Sequence, residues 1–270
     1  MICAVHRCNL SCLALTLNPL LSTQPVNHYT GTQLISARTR LDRFISQHTS
    51  FSRRDVRLLL AQSRIEVDGV AVSDIQKIVH QFSQISVDGV SIQNNQPRYL
   101  MLNKPAGVVS ATTDPQHKTV LDIIDAPFRN ELHIAGRLDY NTTGLILLTN
   151  DGCWSRNLSL PENHIQKHYL VELENPVTAE YAELFAQGIY FEYEQITTAP
   201  AQLRVLSERM VELSITDGRY HQVKRMFGRF QNKVLVLHRY GVGNLQLGDL
   251  ELGQYRELSA AEAGSIHRQD

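Results

Sequence analysis

Four consecutive large apolar residues, Leu145-Ile146-Leu147-Leu148, stand between Gly144 and the turn-forming Asn150-Asp151-Gly152. The run is short and bounded by turn signals, so it reads as a buried strand. Just ahead of it comes a lone carboxylate, Asp139, two residues after Arg137. A carboxylate at the mouth of a buried strand is costly without a partner. With a cation beside it, it stays ionised and can act as a nucleophile or a base. The same pair also suits a purely structural ion bridge, so spacing alone leaves both roles open.

The rest of the larger part alternates strands and helices. Residues 99–102 read as a strand that ends at Asn103-Lys104-Pro105. Residues 145–149 are followed by a short helix that Asp151 is placed to cap. Residues 169–173 form a strand with alternating faces. Residues 178–187 form a helix stopped by Gly188. Residues 203–206 and 211–215 pair as a hairpin, 220–230 is a helix, and 233–237 returns as a strand. Trp154 is expected in the core and Cys153 as an inert small hydrophobe. Strands with few crossover helices predict an α+β fold on a mostly antiparallel mixed sheet with flanking helices.

A smaller unit precedes it. Residues 1–37 carry one formal charge, Arg7. Their apolar stretch, residues 12–21, has a poor basic start and no clean cleavage site after it, so they read as a disordered leader. From Arg38 the pattern becomes helix, helix, strand. Leu41, Phe44 and Ile45 share a helical face. Ser52 and Asp55 form a capping-box pattern, with Val56, Leu59 and Leu60 facing inward. Two copies of Val-Asp-Gly-Val, at 67–70 and 87–90, mark tight turns between short strands. The polar link Gln93 to Pro97 closes this unit. The expected domains are 38–95 and 98–260, with residues 261–270 as a tail.

Net charge is −1, so global charge says nothing about an anionic partner. The local distribution does. Between Arg38 and Arg64 there are seven arginines and two acids. Arginine's planar fork suits phosphate, so these helices read as an RNA-facing surface rather than a merely solvated one. A second basic stretch, Gly218 to Gly248, holds six cations and no acid. Within it Lys224 and Arg225 are adjacent, so on a helix they point about 100° apart. One can reach a buried acid while the other faces outward. None of the four cysteines forms a CxxC pair, and no nucleotide-binding loop or metal motif occurs. The sequence therefore predicts no metal, no cofactor and reduced thiols in a cytoplasmic chain. No apolar run approaches the roughly 20 residues of a membrane span.

Several motifs now combine. Gly136-Arg137-Leu138-Asp139, with Thr142-Thr143-Gly144-Leu145 and Leu148-Thr149-Asn150-Asp151-Gly152, resembles the central motif of the pseudouridine synthases. Lys167-His168-Tyr169-Leu170-Val171 resembles their tyrosine motif. Asp217 to Phe227, with its His-Gln-Val-Lys-Arg-Met-Phe wording, resembles the third motif as found in members acting on small-subunit rRNA. Leu102 to Gly107 is similar to the opening motif. Residues 38–90 resemble the S4 RNA-binding domain that precedes the catalytic domain in one branch. The resemblance covers about residues 38–258.

It implies isomerisation of a uridine in small-subunit (16S) rRNA by a monomer without a cofactor. Asp139 would be the catalytic aspartate, attacking the nucleotide or taking a sugar proton. Tyr169 would contact the extruded base, Lys224 would pair with Asp139, and Arg137 would hold the flipped nucleotide or its phosphate. Further RNA contacts are expected from Arg40, Arg43, Arg53, Arg54, Arg57 and Arg64, and from Lys104, Lys167, Arg219, His221 and Arg225. His168 and His221 are expected as hydrogen-bonding residues rather than acid–base groups. Three alternatives remain: a large-subunit (23S) rRNA synthase, a noncatalytic rRNA-binding assembly factor, and a hydrolase. The hydrolase would need a second acid, for which Asp151 is the nearest candidate.

Overall fold

The computed structural model describes residues 38–266. The expected leader and the last four residues of the expected tail lie outside the described residues.

Two short helices, Leu41–His48 and Arg53–Ala61, begin the described chain. The second starts where the sequence says it should. Ser52 Oγ accepts from the Asp55 amide and Asp55 Oδ2 accepts from the Ser52 amide, a reciprocal cap. Leu41, Ile45, Val56, Leu59 and Leu60 pack on the strands Ile65–Val67 and Ile85–Val87 in a core of their own. Each strand turns into a hairpin at Asp-Gly. Asp68 and Gly69 have φ of 54° and 76°, Asp88 and Gly89 of 51° and 76°. Positive φ at both central residues is what a two-residue hairpin turn needs, which explains the repeated phrase.

The larger part is a nine-stranded sheet. Its main path runs Gln202–Ser207, Met210–Ile215, Lys167–Leu173, Val234–Val242, Thr143–Thr149, Tyr99–Lys104, Tyr255–Glu257. Every pairing is antiparallel except Val234–Val242 with Thr143–Thr149, where His238 and Arg239 lie beside Thr143 and Gly144 in parallel. Leu145 and Leu147 face one core with Met101, while Ile146 and Leu148 face the other with Leu100 and Leu102. Burial on both faces is why the run is continuous rather than alternating.

Helices cover both faces. Ala179–Gln187 and Gln222–Gly228 bury Tyr181, Phe185, Val223, Met226 and Phe227 on one side. Gly152–Ser159 and Ala260–Ser265 bury Trp154, Leu158 and Ala263 on the other. Of the expected tail, residues 261–266 therefore belong to the packed domain. Ser259 and Glu262 form a second capping box, Ile266 is buried, and Trp154 Nε1 donates to the Ala263 carbonyl at 2.9 Å. Cys153 is exposed on its helix rather than packed, because its neighbour Trp154 takes the inward position. No helix among the described residues is long and apolar enough to cross a membrane.

Candidate active site

The segment between Ala135 and Thr143 hangs between two strands, and buried donors hold its backbone. Arg239 Nη2 donates to the Gly136 carbonyl at 3.0 Å. Ser110 Oγ donates to the Leu138 carbonyl at 2.6 Å and accepts from the Leu138 amide at 3.1 Å. Lys104 Nζ donates to the carbonyls of Tyr140 at 3.1 Å, Thr142 at 2.9 Å and Pro105 at 3.0 Å. Alternate carbonyls from 136 to 142 are thus each fixed by a side chain. Leu138 plugs into the core, which turns Asp139 outward.

Lys104 is a correction to the expected RNA contacts. It is fully buried, and its three N–H donors are all used on carbonyls, so none remains for phosphate. Burial pushes its ammonium down to about 8, opposed by the charge of Asp139.

Gly144 allows the parallel pairing beside this loop. Its φ is +108°, and a Cβ there would lie on the backbone of Arg239. Close approach lets Arg239 Nε reach the Leu145 carbonyl at 2.8 Å while Nη2 holds Gly136. The pairing of Val234–Val242 with Lys167–Leu173 shifts register between His168 and Tyr169, which sets Arg239 opposite Tyr169.

Two side chains from one turn meet Asp139. Lys224 Nζ lies 3.1 Å from Asp139 Oδ2, and His221 Nε2 lies 3.5 Å from the same oxygen. The helix was expected from 220 but begins at Gln222, because His221 takes a left-handed backbone with φ 49°. Adjacent Arg225 points away, as the helical angle requires. Its guanidinium pairs with both carboxylate oxygens of Glu194 and covers the Phe191 ring at 3.7 Å. Arg225 is therefore corrected from an expected RNA contact to a clamp on the hairpin of Tyr190–Phe191 and Ile196–Thr197.

A cleft of about 200 Å³ opens in front of Asp139. Arg137, Lys167, Tyr169, Arg219, His221 and Lys224 line it. Tyr169 is only 7% exposed and belongs to the core at the cleft wall. Lys167 stands two residues earlier, on the same strand face. Its Nζ donates to the Thr216 carbonyl at 2.7 Å. Burial and the neighbouring Arg239 push its ammonium down to about 8, opposed by Asp217. Gln222, buried, donates to Asp217 Oδ1 and accepts from the Arg219 amide, which stiffens the far rim. His168 Nδ1 lies 2.8 Å from Ser214 Oγ, a sheet contact outside the cleft. Asp151 caps its helix through the amides of Cys153 and Trp154 and does not line the cleft.

The arginines of the first unit divide. Arg40 pairs with Asp42 and Arg64 with Asp88, each through two hydrogen bonds, so the charge of each is balanced by a neighbouring acid. Arg43, Arg53, Arg54 and Arg57 are exposed and have no acidic partner among the described residues. Sequence reasoning missed Ser110 and Arg239 as supports of the loop. Neither carries a local signal, because each acts across the fold on a backbone carbonyl. Glu194, to which the sequence assigns no role, is Arg225's partner.

Residues 98–228 match the family described as RNA pseudouridylate synthase. The ribosomal small subunit pseudouridine synthase A of Pseudomonas aeruginosa is 50% identical over 229 residues, covering 84% of this chain and all of the relative. The Escherichia coli protein of the same name is 44% identical over 229 residues, covering 84% of this chain and 99% of the relative. A crystal structure of a pseudouridylate synthase superposes with a TM-score of 0.62 at 38% identity, over 84% of this chain and 99% of that one. Asp139 and all of its cleft lining except Leu237 and Arg239 fall inside the matched residues, and the chain belongs to the RNA pseudouridylate synthases, isomerases that act on RNA.

Proposed function

We propose that the protein converts a specific uridine of small-subunit rRNA to pseudouridine, with Asp139 as the acting carboxylate. The observation that carries this reading is the carboxylate itself. It stands in an open cleft, on a loop with fixed carbonyls, with one oxygen beside Lys224 and the other accepting no hydrogen bond among the described residues. That arrangement sets a cation beside one oxygen and keeps a lone pair available on the other. The names of the relatives support the small subunit as the target.

The reaction breaks the N-glycosidic bond, rotates the uracil and rejoins it through carbon, so no water enters and one acid suffices. Attack at the sugar carbon and removal of a sugar proton both use the same ionised Asp139. The uridine leaves the RNA stack at a cost of a few kcal/mol. Contact with Tyr169 at the cleft wall offsets part of that cost, roughly 1–3 kcal/mol for a stacked base. Arg137 and Arg219 engage the phosphates beside it, and Lys167 stands deeper in the cleft. Residues 38–95 act as an S4-like RNA-binding domain through Arg43, Arg53, Arg54 and Arg57, gripping structured RNA by its backbone. The enzyme works as a monomer in the cytoplasm.

The test incubates wild type and Asp139→Asn with unmodified small-subunit and large-subunit rRNA, each free and partly assembled. Pseudouridine is mapped by carbodiimide-dependent reverse-transcription stops. A small-subunit stop made by wild type and absent with the variant is the expected result. A stop confined to large-subunit rRNA overturns the target. Bound RNA without a stop in any substrate overturns the enzyme reading in favour of an assembly factor.

A further inference from the structure

We infer that Tyr220 is a stacking platform for the nucleobase next to the target uridine in the RNA strand. The inference rests on the reading of this cleft as an RNA-modifying site.

The ring of Tyr220 is 72% exposed, the most exposed aromatic beside the cleft. Among the described residues only one of its faces meets another ring. It lies on the imidazole of His221, with ring centroids 3.9 Å apart and planes at 21°. His221 Nε2 is in turn 3.5 Å from Asp139 Oδ2. The two stacked rings form a short column with the imidazole edge, not its face, toward the carboxylate, and the outer face of Tyr220 meets no other ring among the described residues.

The backbone is bent to build that column. On a helix, side chains at i and i+1 do not face each other, so Tyr220 and His221 could not stack. His221 instead adopts φ 49° and ψ 30°, a left-handed conformation that costs a residue with a Cβ about 1–2 kcal/mol. Strain of this kind persists where the surroundings hold it, and it concentrates at functional sites. Here the surroundings are explicit. Gln222 holds the Arg219 amide on one side, and Arg225 Nη1 reaches the Tyr220 carbonyl at 3.4 Å on the other.

The neighbours suit a nucleotide. Arg219 precedes the tyrosine in sequence and Lys224 follows four residues later, and both line the cleft, so cations stand near for the phosphates that bracket a stacked base. Removing a uridine from the stack leaves its neighbour with an uncovered face. An aromatic ring accepts any base, since each has a π-face, so this subsite grips the strand without reading its sequence. Tyr169 is set in the wall of the cleft and is already assigned to the extruded uridine itself, so it does not serve the neighbouring base. Tyr193 is 94% exposed on the hairpin but has no ring beneath it among the described residues.

The test compares wild type with Tyr220→Ala, Tyr220→Phe and Tyr220→Trp. Binding of small-subunit rRNA is measured in an Asp139→Asn background, which needs no turnover and so stands apart from the enzyme reading. Single-turnover pseudouridine formation is measured with Asp139 intact. Thermal melting controls for folding. The expected result is a 5- to 150-fold weaker Kd for the alanine variant, the range for removal of one base stack, with Phe and Trp restoring it. The rate at saturating enzyme should change far less than the half-saturating concentration. RNA ligated with an abasic residue on either side of the mapped uridine should bind wild type and the alanine variant equally in one of the two positions. Equal Kd for wild type and Tyr220→Ala on intact RNA overturns the platform. So does an alanine penalty that persists at both abasic positions. A loss confined to the saturating rate also overturns it, because Tyr220 would then act only through His221.

Discussion

Lys224 Nζ stands 3.1 Å from Oδ2 of Asp139, while Oδ1 accepts no hydrogen bond among the described residues. The cation balances the charge through one oxygen and leaves the other for chemistry. Lys224→Met should therefore lower the single-turnover rate roughly 100-fold. Lys224→Arg should recover part of that loss. Single-turnover kinetics on the three proteins check this, and a wild-type rate in Lys224→Met removes Lys224 from the site.

Arg239 joins two segments through the carbonyls of Gly136 and Leu145. Both would be left unpaired in Arg239→Met, at a cost of about 2–4 kcal/mol. The melting temperature should fall by several degrees and the single-turnover rate by more than the RNA affinity, since the loop that carries Asp139 loosens. Lysine should not rescue, because a single ammonium cannot reproduce the fork. Denaturant midpoints alongside rate and Kd measurements check the split. A destabilised enzyme with wild-type turnover would show that the loop needs no such anchor.

Lys104 and Lys167 both sit at about 8 in the folded chain, below the ordinary 10.5. Between about pH 8 and 10.5 the unfolded chain holds more protons at these positions than the folded one, so their contribution to stability rises with pH across that window. Activity should run the other way. A neutral Lys104 has two N–H donors for three carbonyls, and a neutral Lys167 no longer attracts phosphate. The rate should fall from pH 7 to pH 9, roughly tenfold for each of the two lysines whose neutral form is inactive. Lys167→Arg keeps its charge and should soften only its own share of the decline. A rate that is flat to pH 9.5 contradicts both assignments.

Arg53 and Arg57 are exposed on one helix and have no acidic partner among the described residues. Taking away one phosphate-binding side chain should lower the slope of log K against log salt by about 0.7–0.9. Arg53→Ala with Arg57→Ala should thus flatten the slope by about 1.4–1.8 and leave the rate at saturating enzyme unchanged. RNA binding measured from 50 to 300 mM salt gives the slope directly. An unaltered slope would place the phosphate-binding surface elsewhere.

Much of the fold was legible because its signals are local. The Ser52–Asp55 cap, the Asp151 cap and both Asp-Gly turns depend on residues within a few positions of one another. The Ser259–Glu262 cap is equally local, yet it falls in a stretch whose sequence reads as a tail. The helix start at 220 is displaced for a different reason. His221 adopts a left-handed backbone, and the contacts of Gln222 with the Arg219 amide and of Arg225 with the Tyr220 carbonyl hold it there.

The sequence by itself determined the buried strand, the carboxylate at its mouth and the motifs that mark the family. Its apolar run needed two covered faces, and its lone acid needed a cation. Only the tertiary structure decided which cation does what. Lys104, Arg239, Lys224 and Arg225 look alike as basic residues in a chain, yet the fold gives them four different partners. The first two are buried struts on carbonyls, the third meets Asp139, and the fourth clamps Glu194. The physical reason is that charge acts through space. Which charges become neighbours depends on strand register, on the close approach that Gly144 permits and on the turn at His221.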